Sequence, residues 1–343
     1  LKGQAIMINS YTPFVVFGAS KSGTTWLQQI LDSHNEVNCK FQRPVLPIST
    51  KRIKLFYPAI GVYNARRSPF KGLMDQQKEK LYLQELNYLN KIINDTVELI
   101  TNSSGEEKKL YEKYCTKLID AVLYEPGYKA CGSKSYTDID LFLQLVPDAK
   151  IITIVRDPRD VIVSKRFHTL RMGAYFLGDE KNKIIHYLNH SSIFRRYIKS
   201  KYHKFLPLVN ENSFQVLDEN NHLKICDEAL KKYANEWTLV NDFILKTERN
   251  FPGKIYRVKY EDLKKDVYAE VEKLFNFLNV SCDQQIISDV IEKTKMEKKS
   301  KKGKESFFRK GSVGDWRNHL DTAQLKLINE IAGNTAKELN YAI

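Results

Sequence analysis

Apolar residues recur along the chain with two different periods. Phe14-Val15-Val16-Phe17 and Ile151-Ile152-Thr153-Ile154-Val155 are short unbroken runs of apolar or β-branched residues. That is the pattern of strands buried on both faces, as in a parallel sheet. Ile255-Tyr256-Arg257-Val258-Lys259-Tyr260 reads as another strand, and 128–134 as a short one. Between them, apolar residues fall three and four apart: Trp26, Leu27, Ile30 and Leu31; then Leu230, Ala234, Trp237 and Val240 or Asn241; then Val267, Val271, Leu274, Phe275 and Leu278. These spacings predict amphipathic helices. Further helices are expected at 138–146, after Pro158, and from about 75 to 123 with a break at Asn102-Ser103-Ser104-Gly105. Strands alternating with helices predict an α/β fold, with a single parallel β-sheet flanked by helices on both faces.

Two long stretches interrupt this pattern. Residues 37–74 contain no Asp or Glu, but hold Lys40, Arg43, Lys51, Arg52, Lys54, Arg66, Arg67 and Lys71 between four prolines. They read as a long irregular loop rather than an element, and such loops are often functional. The alternative is a solvated basic surface. Residues 171–226, rich in Tyr, His and Lys, read as an insertion with one helix around 192–206. No repeat or linker separates two domains, so one domain over 1–343 is expected, with insertions at about 37–125 and 171–226.

Composition narrows the class only slightly. The 343 residues are 42% hydrophobic with 19 Tyr and 17 Phe, which argues against a disordered chain. A net charge of +14 calls for an anionic partner without choosing among nucleotide, nucleic acid, acidic glycan and membrane. The five cysteines are scattered, with no Cys-x-x-Cys pair, so neither a disulfide framework nor a zinc site is indicated. No apolar run approaches the ~20 residues of a membrane span. A cytoplasmic protein is the expectation. The start at Leu1 leaves the alternative of a lumenal Golgi domain whose anchor has been removed.

The first strand leads into Gly18-Ala19-Ser20-Lys21-Ser22-Gly23-Thr24-Thr25-Trp26, and then a helix opens. A glycine-bearing loop at a helix N-terminus presents free backbone N–H groups to an anion. Gly18 and Gly23 have the spacing of the ATP-binding loop, but Thr24 stands where that loop has its lysine, and the only loop cation is Lys21. Phosphate binding without ATP hydrolysis is the expectation. The second strong stretch is Val155-Arg156-Asp157-Pro158-Arg159-Asp160-Val161-Ile162-Val163-Ser164. Asp157 fits an N-cap and Pro158 the first helical turn. Arg156 then ends a buried strand at the edge where open α/β sheets place ligands, although a salt bridge to Asp157 or Asp160 would also account for it. Near the C-terminus, Phe308-Arg309-Lys310-Gly311 and Gly314-Asp315-Trp316 form a cationic glycine loop that could close over an anion.

Together these motifs resemble the sulfotransferases that use 3′-phosphoadenosine 5′-phosphosulfate (PAPS), whose fold is P-loop-like. Lys21-Ser22-Gly23-Thr24-Thr25-Trp26 is similar to the family's 5′-phosphosulfate loop, and Arg156 through Ser164 to its 3′-phosphate motif. Arg309-Lys310-Gly311 with Gly314-Asp315-Trp316 is similar to its C-terminal signature, and Tyr260-Glu261-Asp262 also fits. The resemblance covers about 12–165 and 228–320, but 37–123 and the insertion at 171–226 carry none of it. It implies in-line transfer of a sulfuryl group from PAPS to a hydroxyl or amine, with 3′,5′-adenosine bisphosphate (PAP) as product and no metal. It further implies that Lys21 meets the bridging oxygen and the sulfonate, and that Ser22, Gly23, Thr24 and Thr25 hold the 5′-phosphate. Trp26, Tyr260 and Phe308 would pack on adenine, while Arg156, Ser164, Arg309, Lys310 and Gly311 grip the 3′-phosphate.

One departure matters. Cytosolic family members carry Lys-Thr-His before the 3′-phosphate strand, with the histidine as general base, and glycan-modifying members use a Glu after the first helix. Here the residues are Lys134-Ser135-Tyr136, and the loop after the first helix has no acid. Lys134 keeps a role at the sulfonate, but tyrosine, near pKa ~10, is a poor base at neutral pH. Asp138, Asp140, His168, His186 and His190 are left as candidates, of which His168 and Asp138 lie nearest the motifs. Two other readings stay open: a P-loop nucleotide kinase or NTPase, and a non-catalytic polyanion binder. The acceptor is expected to be anionic, drawn by the cations of 37–74. If that stretch is only a solvated surface, a neutral alcohol, phenol or amine is the alternative. No nucleic-acid partner or membrane span is expected.

Overall fold

The structure is a computed structural model that describes residues 11–41, 91–92, 95–134, 138–171, 222–223, 225–295 and 311–343; the side chains at 41 and 168–171 lie outside the described set. The expected helix at 192–206 and most of the basic stretch, 42–74, also fall outside it. Five strands, β1 (Thr12–Phe17), β2 (Val37–Phe41), β3 (Ala130–Lys134), β4 (Lys150–Val155) and β5 (Ile255–Lys259), form one sheet in the order β2-β3-β1-β4-β5. Every pairing is parallel. The apolar runs behave as their pattern predicts: Phe14 to Phe17 and Ile151 to Val155 are buried throughout.

The chain divides into two compact units. The first holds the sheet, α1 (Thr24–Asp32), α2 (Gly105–Leu123), α3 (Ile139–Leu145), α6 (Tyr260–Lys265), α7 (Val267–Leu278) and α8 (Gln284–Thr294). On α1 the predicted face of Trp26, Leu27, Ile30 and Leu31 is buried. Burial of each such side chain contributes ~1.5–3 kcal/mol. On α7, Val271, Leu274, Phe275 and Leu278 are buried as the spacing requires. The break before α2 falls at Ser103 and Ser104, with Gly105 left-handed (φ 57°). The second unit comprises residues 19–22, 156–242 and 307–343. It contains α4 (Pro158–Arg171), a 3₁₀ turn (Asp315–Asn318), α9 (Thr322–Glu338) and the N-terminal part of α5 (Asp227–Asn250). Leu230, Ala234, Trp237, Val240 and Asn241 of α5 are all buried, and Thr335 Oγ1 of α9 donates to Asp242 at 2.6 Å.

One expectation is corrected. Residues 37–41 are strand β2 and do not begin an irregular loop. Val-Asn-Cys-Lys-Phe has no continuous apolar run, so its extended state is imposed by neighbours. It pairs with β3 from Val37↔Ala130 to Phe41↔Lys134. Helix α1 ties it down: Gln28 Nε2 donates to the Cys39 carbonyl (2.6 Å), and the Cys39 N–H donates to Asp32 Oδ1 (3.0 Å).

Buried His34 joins α1 to the turn after α7. Its Nδ1 accepts from the Glu36 N–H (3.0 Å), so Nε2 carries the proton and donates to the Ser281 carbonyl (2.9 Å). Protonating Nδ1 would set two donors against each other. Burial also holds the imidazole below its ordinary pKa. A depressed histidine pKa means that the unfolded chain binds the extra proton first, so stability is full above ~6.5 and is lost as pH falls below it. Urea unfolding between about pH 7.5 and 5.5 should therefore show a steeper loss in the native protein than in His34→Gln, and equal losses would refute this role.

Candidate active site

The strand order reverses at β1 and β4. The chain leaves β1 toward the β2 edge and leaves β4 toward the β5 edge. Open α/β sheets bind ligands beyond the carboxyl ends of the strands at such a reversal. Residue 18 follows β1 and Arg156 follows β4, so both expected phosphate motifs begin at these strand ends.

Within the first unit, the glycines shape the loop exit and helix entry. A β-carbon on Gly18 would stand 2.5 Å from the Ile154 carbonyl oxygen, too close for any side chain. Gly23 caps α1 with φ 103°, and a β-carbon there would meet the Tyr260 ring at 2.7 Å. Gly23 brings no side-chain acceptor to the helix end, and no acid lies in the first turn. The Gly23 carbonyl accepts from the N–H groups of Trp26 and Leu27. Thr24 and Thr25, the first two helical residues, have no intrahelical acceptor to reach. Thr24 itself is buried, its methyl close behind Gly18. The position of the ATPase lysine is thus a packing position.

The cation at this helix end comes from another strand. Lys134, the last residue of β3 and 8% exposed, donates from Nζ to Thr25 Oγ1 at 3.1 Å. Burial lowers its pKa to about 8. Trp26 donates Nε1–H to the Thr294 carbonyl (3.2 Å) and meets Tyr260 edge-on with ring centroids 5.9 Å apart. Tyr260 is 2% exposed and packs behind Gly23, so it supports the loop from beneath. Asp138 acts as the N-cap of α3, its Oδ1 accepting from the Leu141 N–H at 3.1 Å. Asp140 accepts from Thr247 Oγ1 at 3.0 Å. Lys40, in β2, is committed elsewhere: it pairs with Glu125 (3.2 Å) and donates to the Val122 and Tyr124 carbonyls. The other seven cations of the acid-free stretch lie outside the described residues, as do Tyr136, His186, His190, Phe308, Arg309, Lys310 and the His168 side chain.

Within the second unit, Lys21 adopts the left-handed conformation (φ 74°), which costs a non-glycine residue energy and is retained mainly where function demands it. Its neighbour Ser22 is fully buried, and among the described residues the Ser22 hydroxyl has no hydrogen-bond partner. An oxyanion would satisfy it, so the residues present fit a phosphate. Buried Arg156 donates from Nη1 to the Lys21 carbonyl (3.3 Å) and from Nη2 to the Ser312 carbonyl (2.8 Å). The salt bridge weighed as its alternative also exists, with Nη2 3.6 Å from Asp160 Oδ2. Asp157 is the N-cap expected, its Oδ1 accepting from the Arg159 N–H (2.8 Å), and it also pairs with the Arg159 guanidinium. Ser164 lies half-buried on α4. Gly311 opens the C-terminal loop with φ 63°.

Asp160 is the residue that sequence reading undervalued. It is buried, which pushes its carboxyl pKa up, opposed by Arg156 and two backbone N–H groups. The available signal was an acid one helical turn after Arg156, followed directly by Val161-Ile162-Val163. Among the described residues, no three His, Cys, Asp or Glu side chains are grouped as a metal would require, and no helix is long and apolar enough to cross a membrane.

Comparisons with known proteins place the chain. Among solved structures, it is similar to mouse sulfotransferase SULT7A1 complexed with PAP (TM-score 0.46, 15% identity, 97% of this chain and 86% of that one). It is also similar to retinol dehydratase in complex with androsterone and PAP (TM-score 0.47, 19% identity, 97% and 82%). Human sulfotransferase 1C2 is 31% identical over 87 residues, 21% of this chain and 29% of that protein. Mouse sulfotransferase 2A6 is 21% identical over 228 residues, 60% and 66%. The aligned stretch thus spans under a third of 1C2. The family model of the sulfotransferase domain, by contrast, matches residues 12–340, nearly the whole chain, and the protein belongs to the sulfotransferase family.

Proposed function

We propose that this protein is a PAPS-dependent sulfotransferase, acting as one functional domain on a hydroxyl or amine acceptor. The observation that carries the reading is the loop between β1 and α1. It ends in a helix N-terminus without a capping side chain, holds a buried serine hydroxyl that has no partner among the described residues, and takes a buried lysine from β3 in place of the ATPase lysine. Thr24, packed behind Gly18, speaks against nucleotide triphosphate hydrolysis.

In this reading PAPS supplies an activated sulfuryl group, which gains a bond to the acceptor as its bond to the 5′-phosphate breaks. Ser22, Gly23, Thr24 and Thr25 hold the 5′-phosphate through hydroxyls and backbone N–H groups. Lys21 and Lys134 place positive charge where negative charge grows, and fixed cations of this kind do most of the work of an in-line transfer. Arg156, Ser164 and Gly311, with Arg309 and Lys310, bind the 3′-phosphate, and Trp26 packs on the adenine. Tyr260 serves as a support, because its ring is buried behind Gly23. The Asp138 carboxylate is held by the Leu141 N–H, which leaves His168 as the first base to test. An amine acceptor would dispense with a base altogether. Anionic acceptors come first in a screen, because the acid-free stretch 37–74 carries seven cations besides Lys40, and a cluster of one sign draws the opposite charge.

The test is nucleotide-dependent melting. PAP should stabilise the protein far more than ADP or AMP, by ~2.7 kcal/mol at a hundredfold excess over Kd. Equal shifts with PAP and ADP would overturn a separate 3′-phosphate site.

A further inference from the structure

Two motifs of this chain, more than 150 residues apart, are joined by one carboxylate. Asp160, 2% exposed on the first turn of α4, accepts from the Gly314 N–H through Oδ2 (2.8 Å). It accepts from the Trp316 N–H through Oδ1 (3.1 Å). Both N–H groups belong to the Gly314-Asp315-Trp316 turn that follows Gly311. The turn needs such an anchor. Gly314 is left-handed (φ 77°), and the 3₁₀ turn it caps has no side-chain cap of its own. The preceding residue of the same motif holds the turn from its ring side: the Arg159 guanidinium lies 3.8 Å from the centre of the Trp316 ring. Arg159 is itself fixed by Asp157 (2.7 Å) and by the Ala342 carbonyl (2.7 Å).

The carboxylate faces in two directions. Asp160 Oδ2 is also 3.6 Å from Arg156 Nη2, the nitrogen that donates to the Ser312 carbonyl. The Arg156 backbone is held from behind, its carbonyl accepting from Trp237 Nε1–H at 2.9 Å. One buried acid therefore fixes the position of the Arg156 fork and the path of residues 311–316 together. A bidentate carboxylate is suited to this, because it offers an acceptor to two N–H groups and a counter-charge to a guanidinium at once.

We infer that Asp160 is a positioning residue for recognition of the 3′-phosphate: it locks the loop of 311–316 against the Arg156 fork and so sets the preference for PAP over nucleotides without that phosphate. The inference rests on the PAPS reading above, and it assigns no contact between Asp160 and the nucleotide. Asp160→Asn tests it. Asparagine keeps the size but replaces one acceptor by a donor that faces a backbone N–H, and it removes the charge beside Arg156. Loss of a buried charge-assisted hydrogen bond weakens what it supports by roughly tenfold or more.

Calorimetric titration with PAP and with ADP should show PAP affinity falling about tenfold or more in Asp160→Asn, with ADP affinity changed by less than about twofold. Amide exchange supplies a readout independent of the ligand. The Gly314 and Trp316 N–H groups should be protected in the unliganded native protein and lose that protection in the variant. Should Asp160→Asn fail to fold, Asp160→Glu, which keeps the charge and displaces both oxygens, is expected to lose PAP affinity to an intermediate degree. Equal loss of PAP and ADP affinity, or unchanged PAP affinity with intact folding, overturns the inference. A native protein that binds neither nucleotide removes the PAPS reading, whereas exchange that is unaltered by the substitution removes the lock itself.

Discussion

Lys21→Ala is expected to slow sulfuryl transfer about 10²–10³-fold while PAP affinity changes little. Lys21 is the only cation in the loop between β1 and α1, and its backbone is held in the left-handed region at φ 74°. Neither an Asn nor a Gly, the residues that tolerate this conformation, stands there, so the chain accepts strain to place an ammonium group. The Arg156 guanidinium holds the Lys21 carbonyl, which steadies that conformation from the second unit's own side. A group whose charge is felt mainly as the bridging oxygen becomes negative lowers the barrier more than it tightens ground-state binding. The measurement is PAP release from PAPS, followed with an acceptor, alongside calorimetric Kd for PAP. If kcat is unchanged and only the KM for PAPS rises, Lys21 is a binding residue and no more. Lys21→Gly, which relieves the strain, should be as slow as Lys21→Ala, because the charge and not the conformation is what the reaction lacks.

The second large effect is expected at Lys134. Lys134→Ala should also cost about 10²–10³ in kcat, because it removes a preorganised cation from a buried setting where charge is poorly screened. Its pH dependence identifies the group. Burial lowers the Lys134 pKa to about 8, so the ammonium form is present below that value and is lost as pH rises through it. The rate should fall on the alkaline side with that midpoint. Lys134→Arg should abolish the alkaline fall, since a guanidinium stays charged to above ~12. A falling limb that survives in Lys134→Arg would assign it to another group. The stability sign is opposite to the activity sign. A lysine with a lowered folded-state pKa costs stability most below about 8, and that cost is relieved as pH rises from there toward its ordinary value.

Several parts of the fold were legible because they are written in consecutive residues. An unbroken run such as Ile151 to Val155 can be a strand only where both faces are covered, and all five residues are buried. Trp26, Leu27, Ile30 and Leu31 share one helical face by spacing alone, and all four are buried as well. Asp157 followed by Pro158 announced a helix start, and the Asp157 carboxylate does accept from the Arg159 N–H. The loop motif showed by its missing lysine that ATP chemistry was a poor fit.

What the sequence by itself determined, then, is everything set by short-range periodicity and local stereochemistry: the parallel α/β class, the places where the chain turns, and the residue types offered to an anion. What only the tertiary structure decided depends on partners far along the chain. Strand β2 has no apolar run of its own and is extended because β3 and α1 supply its hydrogen bonds. Lys40 looked like one of eight cations awaiting an anion, until the fold placed Glu125 beside it. Lys134 reaches Thr25 across 109 residues, and Asp160 reaches Gly314 across 154. No window of sequence contains both members of either pair. Periodicity reports which face of an element is buried, whereas a hydrogen bond is specified by distance and direction between two atoms, and those are fixed only when the strands have chosen their neighbours.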